Sequence, residues 1–152
     1  PASIANLAAI QLEMDKLPDA EANLKKALAA SPDDAYAMSL LGMLRFRQEK
    51  YDDALNILSR AAQLDPKNAE TQNYLGITLS QEGQRDAAET ALRKAILLQP
   101  NYGGAHHNLA VVYAHQKPPA IALAKFHYNK AIALGQPANP DLEKILNGNS
   151  AK

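Results

Sequence analysis

The sequence predicts an all-α fold, a solenoid of stacked helix pairs, and three observations carry that prediction. The chain repeats at a fixed spacing of 34 residues. Leu75-Gly76, Leu79, Ala88, Leu92, Ala95 and Pro100 have counterparts in Leu41-Gly42, Arg45, Ala54, Leu58, Ala61 and Pro66, and again in Leu7-Ala8, Gln11, Ala20, Leu24, Ala27 and Pro32. Within each period, apolar residues recur at helical spacing along two successive stretches joined by a short polar link. Each period then closes near a proline, which cannot continue the helix before it. One such unit cannot bury its apolar face alone, so neighbours stack and share a continuous core.

In chain order, helices are predicted at 2–14 and 18–30, 35–48 and 52–64, and 69–82 and 86–98. Pro18 suits a first helical turn, where no amide partner is needed. Asp52 and Asp86 fall in N-cap regions. The fourth unit departs from the pattern: Tyr113 to Ala124 is eleven residues, where Leu79 to Ala88 is nine. Lys117-Pro118-Pro119 fills the longer link, and Pro119 is read as opening the second helix. Tyr128 takes the slot of Leu92. Asn139 reads as an N-cap before Pro140, and Leu142, Ile145 and Leu146 form one apolar stripe. The units therefore run 1–34, 35–68, 69–102 and 103–138, with a capping helix at about 140–147 and a tail at 148–152. Residues 1–147 read as a single domain.

Small residues explain the stacking. Ala8, Gly42, Gly76 and Ala110 recur where the two helices of a unit approach closely, and Ala20, Ala54, Ala88, Ala27, Ala61, Ala95 and Ala131 do the same on the second helices. Leu7, Leu41, Leu75 and Leu109, with Leu24, Leu58 and Leu92, are the large groups expected to fill the spaces between them.

The period and these residue types resemble the tetratricopeptide repeat, over roughly residues 1–137. The resemblance implies a right-handed α-solenoid of four helix–turn–helix units plus a short C-terminal capping helix. It also implies a protein that holds other molecules. Family members usually carry an aromatic residue three places before the leucine and another four places after it. Here those places hold Ile4, Met38, Gln72 and His106, then Gln11, Arg45, Leu79 and Tyr113. Gln72 and His106 are accordingly expected to lie partly exposed.

Bulk composition narrows the function classes. The chain has no cysteine, which excludes disulfides and thiolate metal sites. Formal net charge is zero, against the basic excess of a general nucleic-acid binder. No apolar run is long enough to span a bilayer. Charge is nevertheless uneven: residues 1–34 hold 3 Lys and Arg against 6 Asp and Glu, and residues 103–152 hold 5 against 2. This is read as ordinary surface variation, with head-to-tail association of copies through the opposed ends as the alternative. The first helix has no cover, which points to a longer array or a partner at that end, including a second copy.

Catalytic and cofactor chemistry find no support in the residues. His106 and His107 are helix neighbours about 100° apart, and His107 and His115 are more than two turns apart, unlike the three- or four-residue spacing of a helical zinc pair. His127 falls on another helix. The phosphate-cradling glycine patterns are absent, and no serine sits in a nucleophile elbow. Acidic pairs such as Asp33-Asp34 and Asp52-Asp53 lie at turns, where capping accounts for them. The sequence is read as having no catalytic, metal or cofactor-binding residues.

The face of each first helix turned away from the leucine–glycine side gives four columns at the repeat spacing. They are Ala2, Tyr36, Glu70 and Gly104; Ala5, Ser39, Asn73 and His107; Ala9, Met43, Ile77 and Val111; and Leu12, Phe46, Ser80 and Ala114. In the family this face lines a concave groove for extended peptides or partner helices. Met43, Ile77 and Val111 form an apolar stripe, joined by Tyr36 and Phe46. Such a stripe is either a binding surface or a seal between neighbouring first helices. Ser39 lies beside it, Asn73 and His107 offer hydrogen bonds to a bound backbone, and Glu70 and Arg47 set charge preference.

Two family modes can be compared residue by residue. The carboxylate clamp is not matched, because Ala5, Ala9, Ser39, Met43 and Ile77 stand where lysine, arginine and asparagine are needed. The asparagine ladder is matched in part: Asn6 and Asn108 fit its column, and Leu40 and Tyr74 break it. The leading expectation is a non-catalytic protein-interaction scaffold that takes a peptide or partner helix into the groove, without nucleic-acid binding or membrane insertion. The alternatives are a structural module self-associating end to end and a regulatory segment of a larger enzyme.

Overall fold

Several helices begin where a side chain or a proline replaces the missing partners of a first turn. Asp34 accepts a hydrogen bond from the Ala37 amide and Asn68 from the Thr71 amide, both at 3.1 Å. Asn139 accepts from the Leu142 amide at 3.1 Å, with Pro140 opening the last helix. The structure, a computed structural model, describes residues 2–148. Pro1, residues 149–152 (most of the expected tail) and the side chain of Ala2 lie outside the described residues.

Among the described residues the elements are all helical. In order they are α1 (Ala2–Glu13), α2 (Leu17–Ala30), α3 (Ala35–Arg47), α4 (Tyr51–Leu64), α5 (Ala69–Gln81), α6 (Arg85–Leu98), α7 (Gly103–Ala114), α8 (Ile121–Ala133) and α9 (Pro140–Leu146). Two local expectations are corrected. Lys50 and Gln84 occupy the N-cap positions of α4 and α6, without side-chain caps, so Asp52 and Asp86 sit inside the first turn instead. There a carboxylate faces the positive end of the helix dipole, which explains the residue type as well as capping does. α8 starts at Ile121 with Ala120 as N-cap, so Pro119 precedes the helix.

The links inside the first three units share one device. A single residue takes left-handed backbone at Asp15 (φ 58°), Glu49 (φ 60°) and Gly83 (φ 78°), again one repeat apart. Only glycine adopts that conformation freely. Glu49→Gly is therefore expected to stabilise the fold by about 1 kcal/mol, a net of relieved strain and greater freedom in the unfolded chain. Urea unfolding of the variant checks it, and a lower midpoint would refute it.

Packing sets the curvature. Consecutive first helices touch (α1 with α3, α3 with α5, α5 with α7), whereas each second helix packs between the first helices of its own and the next unit. Second helices do not meet one another. The first helices thus line the inner surface and the second helices splay on the outer one. Ala20, Ala27, Ala54, Ala61, Ala88, Ala95, Ala124 and Ala131 are all fully or nearly fully buried at these crossings. An ideal Cβ on Gly42 would stand 2.5 Å from Leu58 Cγ, and one on Gly76 would stand 2.6 Å from Leu92 Cγ. Leu7, expected as a filler, is 47% exposed, because no described helix lies outside α1.

Gln72 and His106 correct the sequence expectation: both are buried, at 3% and 4% exposure. For His106 the reason is a set of partners no local pattern reveals. Its Nε2–H donates to the Pro100 carbonyl at 2.8 Å. Its Nδ1 meets Nδ1 of His127 on α8 at 2.9 Å, and the rings stack. With Nε2–H committed to that carbonyl, Nδ1 of His106 accepts and His127 Nδ1–H donates.

One ion-pair cluster ties the first unit to the second. Glu21 on α2 accepts from Arg45 on α3 at 2.9 Å and pairs with Lys25 at 2.9 Å. The Arg45 hydrogen bond, then that of Lys25, holds its carboxyl at about 2 against an ordinary 4.5. A depressed carboxyl stabilises the fold fully above its unfolded value, and that stability is lost as pH falls from 4.5 toward 2. Glu21→Gln is expected to flatten the acid limb of a stability–pH profile across that window; an unchanged limb would count against the cluster.

Candidate binding groove

The inner surface is built from the four first helices, and the packing of those helices decides which residues it presents. Ser39 (1% exposed), Met43 (5%) and Asn73 (5%) are buried, in contact along the seams between neighbouring first helices. Met43 is therefore not held toward solvent, and the seam-sealing alternative holds for that position. Ile77, Val111, Phe46 and His107 are half-buried, while Tyr36, Arg47 and Glu70 are exposed.

What the fold brings together is a depression of about 330 Å³ lined by Phe46, Ile77, Ser80, Gln81, Asn108, Val111 and Val112. Phe46 is fixed edge-on to Tyr51 and Tyr74, with ring centroids 5.3 and 5.8 Å apart. Such fixing gives a ligand a rigid apolar wall at low entropic cost.

Beside the depression runs a line of amides. Asn108 Nδ2 donates to Asn73 Oδ1 at 3.0 Å, and Asn73 Nδ2 donates to the Tyr102 hydroxyl at 3.2 Å. Asn73 is thus engaged at both ends of its amide, so the polar group offered from this line is Asn108. Burial, helped by the charge of Glu70, pushes the Tyr102 phenol up to about 12. His107 Nε2 lies 3.3 Å from Asn139 Nδ2, and burial lowers its ionisation. His107 consequently couples α7 to the start of α9 and is a neutral ring at neutral pH.

Charge gathers at the other end of the groove. Arg47 donates to the Leu12 carbonyl, crossing from α3 to α1. Loss of solvent raises the Glu70 carboxyl, Glu13 pushes it the same way and Arg47 opposes them. Tyr36 stands 40% exposed at this end, its phenol raised by burial and by Glu70, Glu13 and Asp34.

Val112, Gln81, Ser80 and Asn108 were not among the expected site residues, although Ser80 stands in the inner-face columns, Asn108 in the ladder column, and Gln81 falls one repeat after Arg47. Extending the columns by one further position would have found it. Among the described residues no group of three or more histidine, aspartate or glutamate side chains converges as for a metal ion. No described helix is long and apolar enough to cross a membrane.

This geometry defines a class: an α-solenoid repeat protein whose inner surface presents fixed side chains. Models of the tetratricopeptide repeat match residues 6–69 and 45–110. Together these matches span well over half of the chain, which belongs to the tetratricopeptide repeat family.

The crystal structure of MamA is similar at a TM-score of 0.73 and 24% identity, covering 88% of this chain and 77% of that one. A structure of MamA AMB-1 gives 0.67 at 27% identity, covering 92% and 75%. A chain of the APC/C hetero-tetramer Cut9–Hcn1 gives 0.82 at 24% identity; it covers 95% of this chain but this chain spans only 28% of that one. No curated protein matches the sequence. Proteins of the tetratricopeptide class are generally non-catalytic interaction modules, and the fold supports protein partners and a scaffold role.

Proposed function

We propose that this chain is a non-catalytic scaffold that binds an extended peptide or partner helix in its concave groove. The observation that supports this most is the apolar depression of Phe46, Ile77 and Val111 beside the Asn108 amide. An apolar side chain enters the depression, and Asn108 pairs with the ligand backbone. Tyr36, Arg47 and Glu70 set preference toward one end. The repeats divide the domain, residues 1–147, at about 34, 68 and 102, so a segment lying along the groove meets several units at once.

A peptide-display selection tests the reading, run on the wild type and on Ile77→Glu and Asn108→Ala variants checked by circular dichroism. A shared motif in the wild type is expected, with affinity reduced at least about tenfold in both folded variants, a loss of roughly 1.4 kcal/mol. No motif, or a motif indifferent to both substitutions, would overturn it.

A second reading draws on α1, where Leu7 and Ile10 are 47% and 53% exposed, and on Met14 in the turn after it, 58% exposed. That face favours association of copies through the ends. Light scattering across concentration and salt decides it, and a monomer throughout would sink it.

A further inference from the structure

We propose that the outer furrow between α6 and α8 is a second docking surface, fitted to a partner helix with apolar side chains and an acidic flank. The furrow is a hollow of about 340 Å³. Its floor is Leu109 and Tyr113 of α7, which are 1% and 3% exposed. Its banks carry Leu97, 81% exposed, and Leu123, 49% exposed, with Phe126 at 65% on the outer edge of α8. These are large apolar groups standing in water on the side of the solenoid opposite the groove.

The repeat supplies its own control. In the α4–α6 furrow the corresponding places hold Gln63, Ala87 and Thr90, and in the α2–α4 furrow Ala29, Asp53 and Asn56. All six are exposed, and all are polar or small. The outer surface is thus made wettable in the earlier units and apolar only in the last. Packing does not require the change, since Leu97 and Phe126 are largely exposed.

The furrow is also pre-formed. His127 stacks on Tyr113 at 5.8 Å and on His106 at 5.2 Å, and Phe126 meets His127 edge-on at 5.1 Å. The aromatic bank is fixed before a partner arrives.

Charge selects the partner. Glu89 is already engaged: it accepts from the Tyr113 hydroxyl at 2.9 Å and from Gln116 at 3.1 Å, and lies 3.7 Å from Arg93. α8 carries Lys125 and Lys130 and no acid. Lys130 falls seven residues after Leu123, on the same helix face. Glu89 and Arg93 offset each other, so the net charge beside the apolar banks is the positive one of Lys130, and an acidic flank complements it.

The test is a display selection of randomised helical 16-mers on the full chain at low and at high salt. A Leu97→Gln/Leu123→Ala/Phe126→Thr triple, which installs the residues of the preceding furrow at exposed positions, serves as the variant. The inner-groove variant Ile77→Glu runs in parallel. The expected result is enrichment of peptides pairing Leu or Phe with Asp or Glu, weakened by salt, lost at least tenfold in the triple and kept in Ile77→Glu. Enrichment of basic or uncharged peptides, or peptides that bind the triple equally, would overturn the proposal. So would a wild-type dimer that the triple abolishes, because the occupant would then be a second copy. Loss in Ile77→Glu with the triple unaffected would assign binding to the inner groove alone.

Discussion

Leu92→Ala is expected to lower the unfolding free energy by about 2–5 kcal/mol, the range for a fully buried leucine whose surroundings cannot close the space. Leu92 is 0% exposed and lies against Gly76, where a Cβ would stand 2.6 Å from its Cγ and 2.9 Å from its Cδ2. The two positions answer to one volume, and this makes a sharper expectation than the single variant. Alone, Gly76→Ala should overpack by about 1–3 kcal/mol, partly offset by the roughly 1 kcal/mol that alanine gains over glycine in a helix. In the Leu92→Ala background the added methyl meets empty space, and the same substitution should stabilise. A double-mutant cycle by urea unfolding measures the change of sign; additive effects would show that the helices, not the side chains, absorb the strain. The first unit already holds Ala8 opposite Leu24, so such an adjustment is available to this fold.

That pair also shows what was legible in the sequence. The glycine–leucine and alanine slots, the proline stops and the helix pairs are set by contacts within a unit, so a period and its residue types reveal them. Tyr128 was placed in the slot of Leu92 on the same ground, and it is buried at 5% exposure. What the period does not encode is the rotation between units. Met43 and Ser39 share columns with Ile77 and His107, yet the first pair is sealed and the second half-open. A column fixes a direction around one helix and leaves the neighbour's approach open. The same holds for His106, whose partners are Pro100 and a histidine 21 residues on. The N-cap assignments of Asp52 and Asp86 failed on a smaller scale, unlike that of Asn139, because an aspartate is favoured both at the cap and in the first turn.

The outer furrow was missed for a related reason. Leu97, Leu123 and Phe126 fall on second helices, and the columns searched for a binding face ran along first helices only. Their exposure, and the polar or small residues in the same places of earlier units, separate them from Leu92 and Tyr128 on the same helices.

Tyr128 joins the last repeat to its cap, and its removal carries the other large effect. Its hydroxyl donates to Glu143 Oε2 at 2.6 Å and accepts from the Asn139 amide at 2.9 Å, binding α8 to both ends of the first turn of α9. Burial raises the phenol above its ordinary 10.0, so it is protonated and able to donate throughout the neutral range. Tyr128→Ala should cost about 3–5 kcal/mol, as for other large aromatic truncations. Tyr128→Phe keeps the ring and isolates the hydroxyl: about 1–3 kcal/mol is expected from the unpaired Asn139 amide and the lost Glu143 bond. Leu142 and Leu146, 2% and 5% exposed, pack on the α7–α8 end only while α9 is seated. Amide hydrogen exchange should therefore show Tyr128→Phe releasing α9 first, with protection in α1–α4 unchanged, because each unit leans on its neighbours alone. If α9 kept its protection while the whole chain weakened, the hydroxyl would not be the latch. The cap would then be held by its leucines.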